Sequence, residues 1–310
     1  SLRCWDLNRG TCLNTLQGHA DRVTCLAVDW AHKKLASGCQ DGSIKAWDFS
    51  QPDASCLQTF AGHQAWVCCL AMDYSSQRIV SGGGDGILRV WDIAMAICVV
   101  TLRGHTDCVS CVAVDWRRHQ ALSGSGSRDC SLKLWKFNSG ASACAGTLLD
   151  HGAWVRCMSV DWSQSLALSG SADKTLKLWR LDRGNGSCEL TLQGHRASIT
   201  CVSVDWQTLR AVSGANERAV RLWDLIKGSC LCLCCSSSSC AHAASVNCIG
   251  VFWTQDCAVS GSRDRTLKVW DLDRRICTQT LHCRTAGVTC LAVNGEEGTL
   301  AEAESGALVC

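Results

Sequence analysis

Seven tryptophans, Trp5, Trp47, Trp91, Trp135, Trp179, Trp223 and Trp270, divide this chain of 310 residues at intervals of 42, 44, 44, 44, 44 and 47. One period carried along nearly the whole length restricts the chain to architectures that repeat a single supersecondary unit. It also answers the problem of size, because a chain this long exceeds what one undivided hydrophobic core usually supports, whereas stacked units need no larger core than their own interfaces.

Other residues keep step with the tryptophans. An acid stands six positions before each one that has a full unit in front of it: Asp41, Asp85, Asp129, Asp173, Glu217 and Asp264. A histidine stands 28 before in five units, His19, His63, His151, His195 and His242, and 30 before in the third, His105. The third unit therefore carries two extra residues, expected within Arg117 to Ser127. Between the markers each unit reads as four short strands. In the first unit these are Val23 to Val28, Lys34 to Ser37, Ser43 to Trp47 beyond the turn Gln40-Asp41-Gly42, and Cys56 to Phe60. Apolar residues on both faces of the first strand predict burial on both sides. No segment shows a 3.6-residue period.

These units resemble WD repeats, the β-transducin-like family. Gly18-His19 and Trp47-Asp48 match that family's opening and closing dipeptides, and the period of ~40 to 45 residues with four strands matches as well. The resemblance implies an all-β, seven-bladed β-propeller of four-stranded antiparallel blades, closed by pairing of the N- and C-terminal strands. The expected units are 18–61, 62–103, 104–149, 150–193, 194–240, 241–282, and 283–310 completed by 1–17, all in a single domain spanning 1–310. Leu2 to Leu16 offers a third and fourth strand, the C-terminal piece a first and second, and joining them covers edges that would otherwise be open. A stub, Ala307 to Cys310, competes for the same place as Leu2 to Leu7, and a truncated eighth repeat is the alternative. Three departures stand out: Trp135-Lys136 and Trp179-Arg180 lack the Asp; Asp29-Trp30, Asp115-Trp116, Asp161-Trp162 and Asp205-Trp206 replace the usual Ser-Pro-Asp-Gly turn, leaving Pro52 as the only proline; and Arg284 stands where the last unit should have His.

A net charge of +2 with 19% charged residues argues against nucleic-acid binding through bulk basicity and against an acidic disordered chain. The first residues show no basic-then-apolar leader, and no apolar run approaches the ~18 residues of a membrane span. A soluble chain is expected, compatible with being a piece of a longer protein. Of 26 cysteines, Cys25, Cys69, Cys111, Cys157, Cys201, Cys248 and Cys290 share one slot, and Cys12, Cys56, Cys98, Cys144, Cys188, Cys230 and Cys277 another. Recurrence in strand register reads as small buried hydrophobes in a reduced cytoplasmic or nuclear setting. An oxidised extracellular domain is the alternative, to which the sequon Asn185-Gly186-Ser187 lends some support.

His, Ser and Asp in every unit have the residue types of a hydrolytic triad. An enzyme needs one site rather than six copies, and the resemblance implies a buried structural network in each blade instead. Its members would be His19, Ser37, Asp41 and Trp47; His63, Ser81, Asp85 and Trp91; His105, Asp129 and Trp135; His151, Ser169, Asp173 and Trp179; His195, Ser213, Glu217 and Trp223; and His242, Ser260, Asp264 and Trp270. No catalytic residues are expected. Gly82-Gly83-Gly84-Asp85-Gly86 and Gly124-Ser125-Gly126 do not open a helix, so they read as turns rather than phosphate loops. Cys230, Cys232, Cys234, Cys235, Cys240 and His242 form a cluster that invites zinc, but its spacing fits no zinc pattern and a cysteine-serine loop is the simpler reading. No metal or cofactor is expected. Trp30, Tyr74, Trp116, Trp162, Trp206 and Trp253 recur after the first strand and read as packing residues, exposed hot spots being the alternative.

The resemblance also indicates which slots reach the face with the channel entrance: the neighbours of the first-strand valine and the residue before the turn acid. They hold Arg22, Gln40, Trp66, Arg128, Trp154, Arg156, Asn216 and Arg263, which vary from unit to unit. Arginine forks with tryptophan beside them suit an acidic or phosphorylated peptide, although scattered surface arginines also occur without function. The expected function is a non-catalytic protein-interaction scaffold or substrate-recognition module, with other proteins or peptides as partners and neither nucleic acid nor a small-molecule substrate. A sensing or assembly region of a larger signalling protein is the alternative, and an enzyme or metalloprotein using the channel or the cysteine cluster the runner-up.

Overall fold

A computed structural model describes residues 2–6, 11–51, 55–138, 141–181, 186–231, 241–282, 287–294 and 299–304. In the first blade, strands Val23–Asp29, Lys34–Cys39, Ile44–Asp48 and Ser55–Phe60 form one antiparallel sheet in chain order. Five more blades repeat it, opening at Val67, Val109, Val155, Ile199 and Val246. Among the described residues no helix is long and apolar enough to cross a membrane.

Burial runs differently from expectation. The first strand alternates buried and half-buried residues, while Leu35–Cys39 on the second strand is buried throughout. First strands touch their counterparts in the neighbouring blades all the way round, so they stand at the inner circumference, with one edge left to the channel. The second strands lie wholly inside the packed ring. The fourth strands form the outer rim and are mainly exposed.

One glycine per blade sets the distance between blades. A Cβ built on Gly38 would lie 2.7 Å from Cys25 Sγ and 2.7 Å from a methyl of Val67 in the next blade. Gly82, Gly124, Gly170, Gly214 and Gly261 repeat this crowding, each between its own blade's cysteine and the following blade's Val or Ile. The valine fills the space that the missing side chain leaves, at interior packing density. Hydroxyls fasten the same seams: Ser110 and Thr24 donate to the carbonyls of Val155 and Val67, Thr200 to Val246 (2.5 Å), and the Asn247 amide to Val288 (2.7 Å).

The expectation of a seven-bladed propeller is corrected to six blades. Only six blades are continuous runs of chain; the remaining four-stranded sheet is a composite in which Leu2–Asp6 and Thr11–Leu16 join Val288–Asn294 and Thr299–Glu304. Leu2 pairs with Ala303 and Asp6 with Thr299. Gly261 packs on Val288 at one side of this sheet, and Thr289 Oγ1 donates to Val23 O (3.3 Å) at the other. The physical reason is that neither chain end carries four strands of its own; the two incomplete ends pair, as their complementary strands implied, and leave no unpaired strand between the sixth blade and the first. The stub 307–310 lies outside the described residues.

The second cysteine series is also corrected. Cys12, Cys56, Cys98 and Cys144 are exposed, and Cys188, Cys230 and Cys277 half-buried. What they share is a pairing: each stands opposite the repeat tryptophan, as in Trp47 with Cys56 and Trp179 with Cys188, and all but Cys230 sit at a register shift where the fourth strand bulges. Of the first series, Cys25, Cys69, Cys111, Cys157, Cys201 and Cys248 are buried apolar filler, and Cys290 is half-buried. Burial pushes the Cys111 thiol up to about 12 and that of Cys201 to about 11.

The Asp-Trp turn has its own logic. Asp29 Oδ1 accepts the His32 amide (3.1 Å), Asp73 that of Ser75 (3.0 Å) and Asp205 that of Gln207 (3.0 Å), while Lys33, Gln77 and Leu209 take left-handed backbone. An aspartate that caps its own turn does the work of the absent proline. The aromatic that follows is half-buried, as with Trp30 edge-on to Phe49 at 5.8 Å and Trp206 against the fourth-to-fifth blade core.

Gly124→Ala is expected to destabilise the protein by ~1–3 kcal/mol through overpacking. Gly152→Ala, where the nearest atom to a new Cβ is 4.0 Å away, should be close to neutral. Urea denaturation of the two variants checks the pair, and equal stabilities would contradict the seam.

Candidate functional site

The repeated polar residues meet inside each blade. In the fourth, Trp179 Nε1 donates to Ser169 Oγ (2.7 Å), Ser169 Oγ lies 2.7 Å from His151 Nε2, and His151 Nδ1 lies 2.7 Å from Asp173 Oδ2. The second, fifth and sixth blades repeat the chain with His63, Ser81, Asp85 and Trp91, with His195, Ser213, Glu217 and Trp223, and with His242, Ser260, Asp264 and Trp270. Proton directions follow from the donor inventory. The indole can only donate, so the serine oxygen accepts from it and gives its single proton to Nε2; the other ring nitrogen then carries hydrogen toward the carboxylate. Every buried polar group is satisfied by a neutral imidazole.

In the third blade the serine is Ser123, which was not anticipated: it lies 2.8 Å from His105 Nε2 and accepts from Trp135, and His105 Nδ1 is 2.9 Å from Asp129. Its signal was the 18-residue step from the histidine, equal to that of His19 to Ser37. The two extra residues therefore fall between Ser123 and Asp129, in the turn where Cys130 N bonds Gly126 O (2.8 Å). The first blade departs in another way. His19 Nε2 meets Ser37 (2.6 Å) and Trp47 donates to the same oxygen, but Asp41 turns to Ser43 and His19 Nδ1 is buried without a partner.

Electrostatics agree with neutral rings. Burial lowers the pKa of His63, His105, His195 and His242 against the pull of the neighbouring carboxylate, and brings His19 down to about 4. Burial alone would raise the acids. Hydrogen bonds outweigh it and hold Asp85, Asp129, Asp173, Glu217 and Asp264 below their usual range. The serines Ser37, Ser81, Ser123, Ser169, Ser213 and Ser260 each have 0% exposure, so a substrate cannot reach these would-be nucleophiles.

Of the cysteine cluster, Cys232, Cys234, Cys235 and Cys240 lie outside the described residues. Cys230 pairs with Trp223, and both ring nitrogens of His242 are engaged within its blade. Among the described residues, no three His, Cys, Asp or Glu side chains are placed to hold a metal ion.

The varied slots gather at one end of the first strands. The turn residue there donates its amide to the carbonyl of the residue preceding its own blade's first strand: Gln40 to Arg22 (2.9 Å), Gly84 to Trp66 (2.8 Å), Ala172 to Trp154 (2.8 Å), Asn216 to Ser198 (2.9 Å) and Arg263 to Ser245 (3.0 Å). In the third blade Gly126 occupies this place, bonded to Cys108 O (2.9 Å). The insertion has moved Arg128 out of the slot and onto the turn tip, where its amide donates to Asp107 (2.9 Å). Arg22, Gln40, Arg128, Asn216 and Arg263 are exposed. Trp66 is 48% exposed and lies against Gly84.

Arg156 is the outlier among residues that follow the first-strand valine. Its guanidinium sits 5.0 Å from the Trp154 ring, and Nη1 reaches Ser198 Oγ at 3.5 Å. The Trp154 indole N–H is buried and unbonded. A separate cleft of about 660 Å³ between the outer parts of the second and third blades, lined by Val99, Val100, Trp116 and Phe137, contains no rim residue.

Comparison with known proteins agrees with this geometry. The sequence pattern described as "WD domain, G-beta repeat" matches residues 10–48, 54–92, 96–136, 142–180, 186–224 and 229–271, six repeats in all. The chain is 45% identical over 51 residues to Mitochondrial division protein 1 of Neurospora crassa and 44% identical over 50 residues to Cell division control protein 4 of Candida albicans. Each stretch is 16% of this chain and only 8% and 7% of those relatives. The WD40 beta propeller domain of Doa1 superposes with a TM-score of 0.78 at 23% identity, covering 94% of this chain and 92% of that one, which establishes likeness of fold alone.

Two outcomes are expected of the network. Ser213→Ala strands both the Trp223 and His195 partners and should cost ~1–3 kcal/mol in chemical denaturation. A histidine whose pKa is lower folded than unfolded binds fewer protons in the folded state, so acidification favours unfolding; for His19 the loss accrues between about pH 6.5 and about pH 4. The urea midpoint should fall across that window, and a flat profile would contradict neutral buried rings.

Proposed function

From the premise that this chain belongs to the WD domain, G-beta repeat family, we propose that it is a non-catalytic recognition module whose ring-end face binds acidic or phosphorylated peptides of other proteins. A propeller of this family fits a protein-interaction scaffold, and its repeated polar residues are consumed in holding blades together. What differs from blade to blade is the set of residues at one end of the first strands.

The observation that carries the proposal is the Trp154–Arg156 pair. Its cation lies over the indole face and directs one donor at Ser198 Oγ, so the other donors of the half-buried guanidinium remain to serve a ligand oxygen. An Arg fork binds carboxylate or phosphate in two parallel hydrogen bonds, and an adjacent aromatic adds contact area at low entropic cost. Trp66, half exposed, and the exposed Arg22 and Arg263 extend the same face. The cytoplasm or nucleus is where such a module would meet phosphorylated partners.

Affinity capture from a lysate, with the wild-type chain beside a Trp66→Ala, Trp154→Ala, Arg156→Ala variant, tests this reading. Partners should drop at least about tenfold with the variant, a loss of ~1.4 kcal/mol, and also after phosphatase treatment of the lysate. Identical captures would move binding to the blade sides or the opposite face.

A further inference from the structure

The cleft of about 660 Å³ between the outer parts of the second and third blades has the size of a ligand pocket. Its floor is apolar: Val90 and Phe137 are buried, Val100 and Trp116 are half-buried against the same core, and Val99 is 42% exposed. Its mouth is basic. Arg78, Arg118 and His119 line it, and no Asp or Glu stands with them among the described lining residues.

Both features depart from the repeat. The fourth strand of the second blade, Ile97–Arg103, bulges between Cys98 and Val100 as its counterparts do, but the two residues there are Val99 and Val100. Other blades carry Leu57-Gln58, Ala145-Gly146, Glu189-Leu190 and Thr278-Gln279 at this place. The third-blade turn beside them is Arg117-Arg118-His119, where the second, fourth and fifth blades have Ser75-Ser76-Gln77, Ser163-Gln164-Ser165 and Gln207-Thr208-Leu209. Blade geometry does not explain these residues, because the other blades close without them. The turn is also held in place. His119 O accepts the Phe137 amide (3.0 Å), and Asp115 Oδ1 accepts the amides of Arg117 and Arg118 (both 3.1 Å). Arg78 is paired with Asp92. Arg118 donates from Nη1 to Trp162 O (3.2 Å), and its Nε stays 3.8 Å from Asp115 Oδ2, so the guanidinium, 60% exposed, keeps further N–H groups for a ligand oxygen.

Ile97–Arg103 ends its sheet, and among the described residues no strand pairs with its outward edge. Ile97, on the same strand as the two valines, is 49% exposed. An apolar edge of this kind takes an extended segment as an added strand, in which alternate side chains share a face. We propose that this cleft is a second binding site, apart from the ring-end face, for an extended peptide of another protein. The peptide seats an apolar side chain against Val99, Val100 and Trp116 and presents a carboxylate, two residues away, to Arg118.

Ligand-observed NMR titration of the whole chain tests the site, with a blocked five-residue peptide that has phenylalanine second, glutamate fourth and threonine elsewhere. The probe should bind, and lysine for its glutamate or alanine for its phenylalanine should weaken binding at least about tenfold. Arg118→Gln removes the charge yet keeps the tie to the next blade, since Gln164 makes the same bond to Trp206 O (3.3 Å) in the fourth blade. Val100→Gln installs the residue of the first and sixth blades. Each variant should weaken the probe as much, Arg118→Gln with an unchanged urea midpoint, whereas the Trp66→Ala, Trp154→Ala, Arg156→Ala variant should bind it as the wild type does. The proposal is overturned if the probe does not bind, if both glutamine variants bind it normally, or if the triple variant loses it. It is overturned equally if 3-phenylpropionate competes with the affinity of the whole peptide, which would make the occupant a small carboxylate.

Discussion

The ring depends on a side chain that is absent. At Gly38, Gly82, Gly124, Gly170, Gly214 and Gly261 the second strand offers no Cβ, and the following blade's Val or Ile methyl occupies that volume against a buried cysteine. Interiors tolerate neither voids nor overlap of this size, so the glycine fixes how close two blades come. Repetition of the same contact propagates one spacing around the circle. The hydroxyl and amide ties beside it add direction to an otherwise apolar seam.

Within a blade, the Trp–Ser–His–acid chain answers a different demand. A tryptophan large enough to anchor a sheet brings a donor into the interior, and each further member satisfies the one before it until the charge ends near solvent. Cooperative chains of this kind are costly only when incomplete. The first blade is the incomplete one: Asp41 faces its own turn, His19 Nδ1 is left unbonded, and that blade borders the composite closing sheet.

Much of this was legible because the period put equivalent residues in equivalent places. What escaped did so for local reasons. Ser123 was hidden by measuring from Trp135, across an insertion, rather than from His105. Arg128 was assigned to a rim slot that Gly126 fills, since two added residues displace the turn but not the backbone bond beneath it. The outer cysteines look like core in sequence because a bulge opposite tryptophan recurs as faithfully as burial does. Residue counting gave seven blades where six repeats are present, while the pairing of the two chain ends in the closing sheet followed from their complementary strands.

A repeated framework stands apart from a face that varies from blade to blade, and the proposed recognition belongs to that face. Binding of the purified protein to a peptide array in which each sequence appears neutral, acidic and phosphorylated examines that division most directly. The account predicts that retained spots are acidic or phosphorylated, and that their signal falls with rising salt as screened Arg contacts should. Retention of neutral apolar peptides, indifferent to salt, would contradict it.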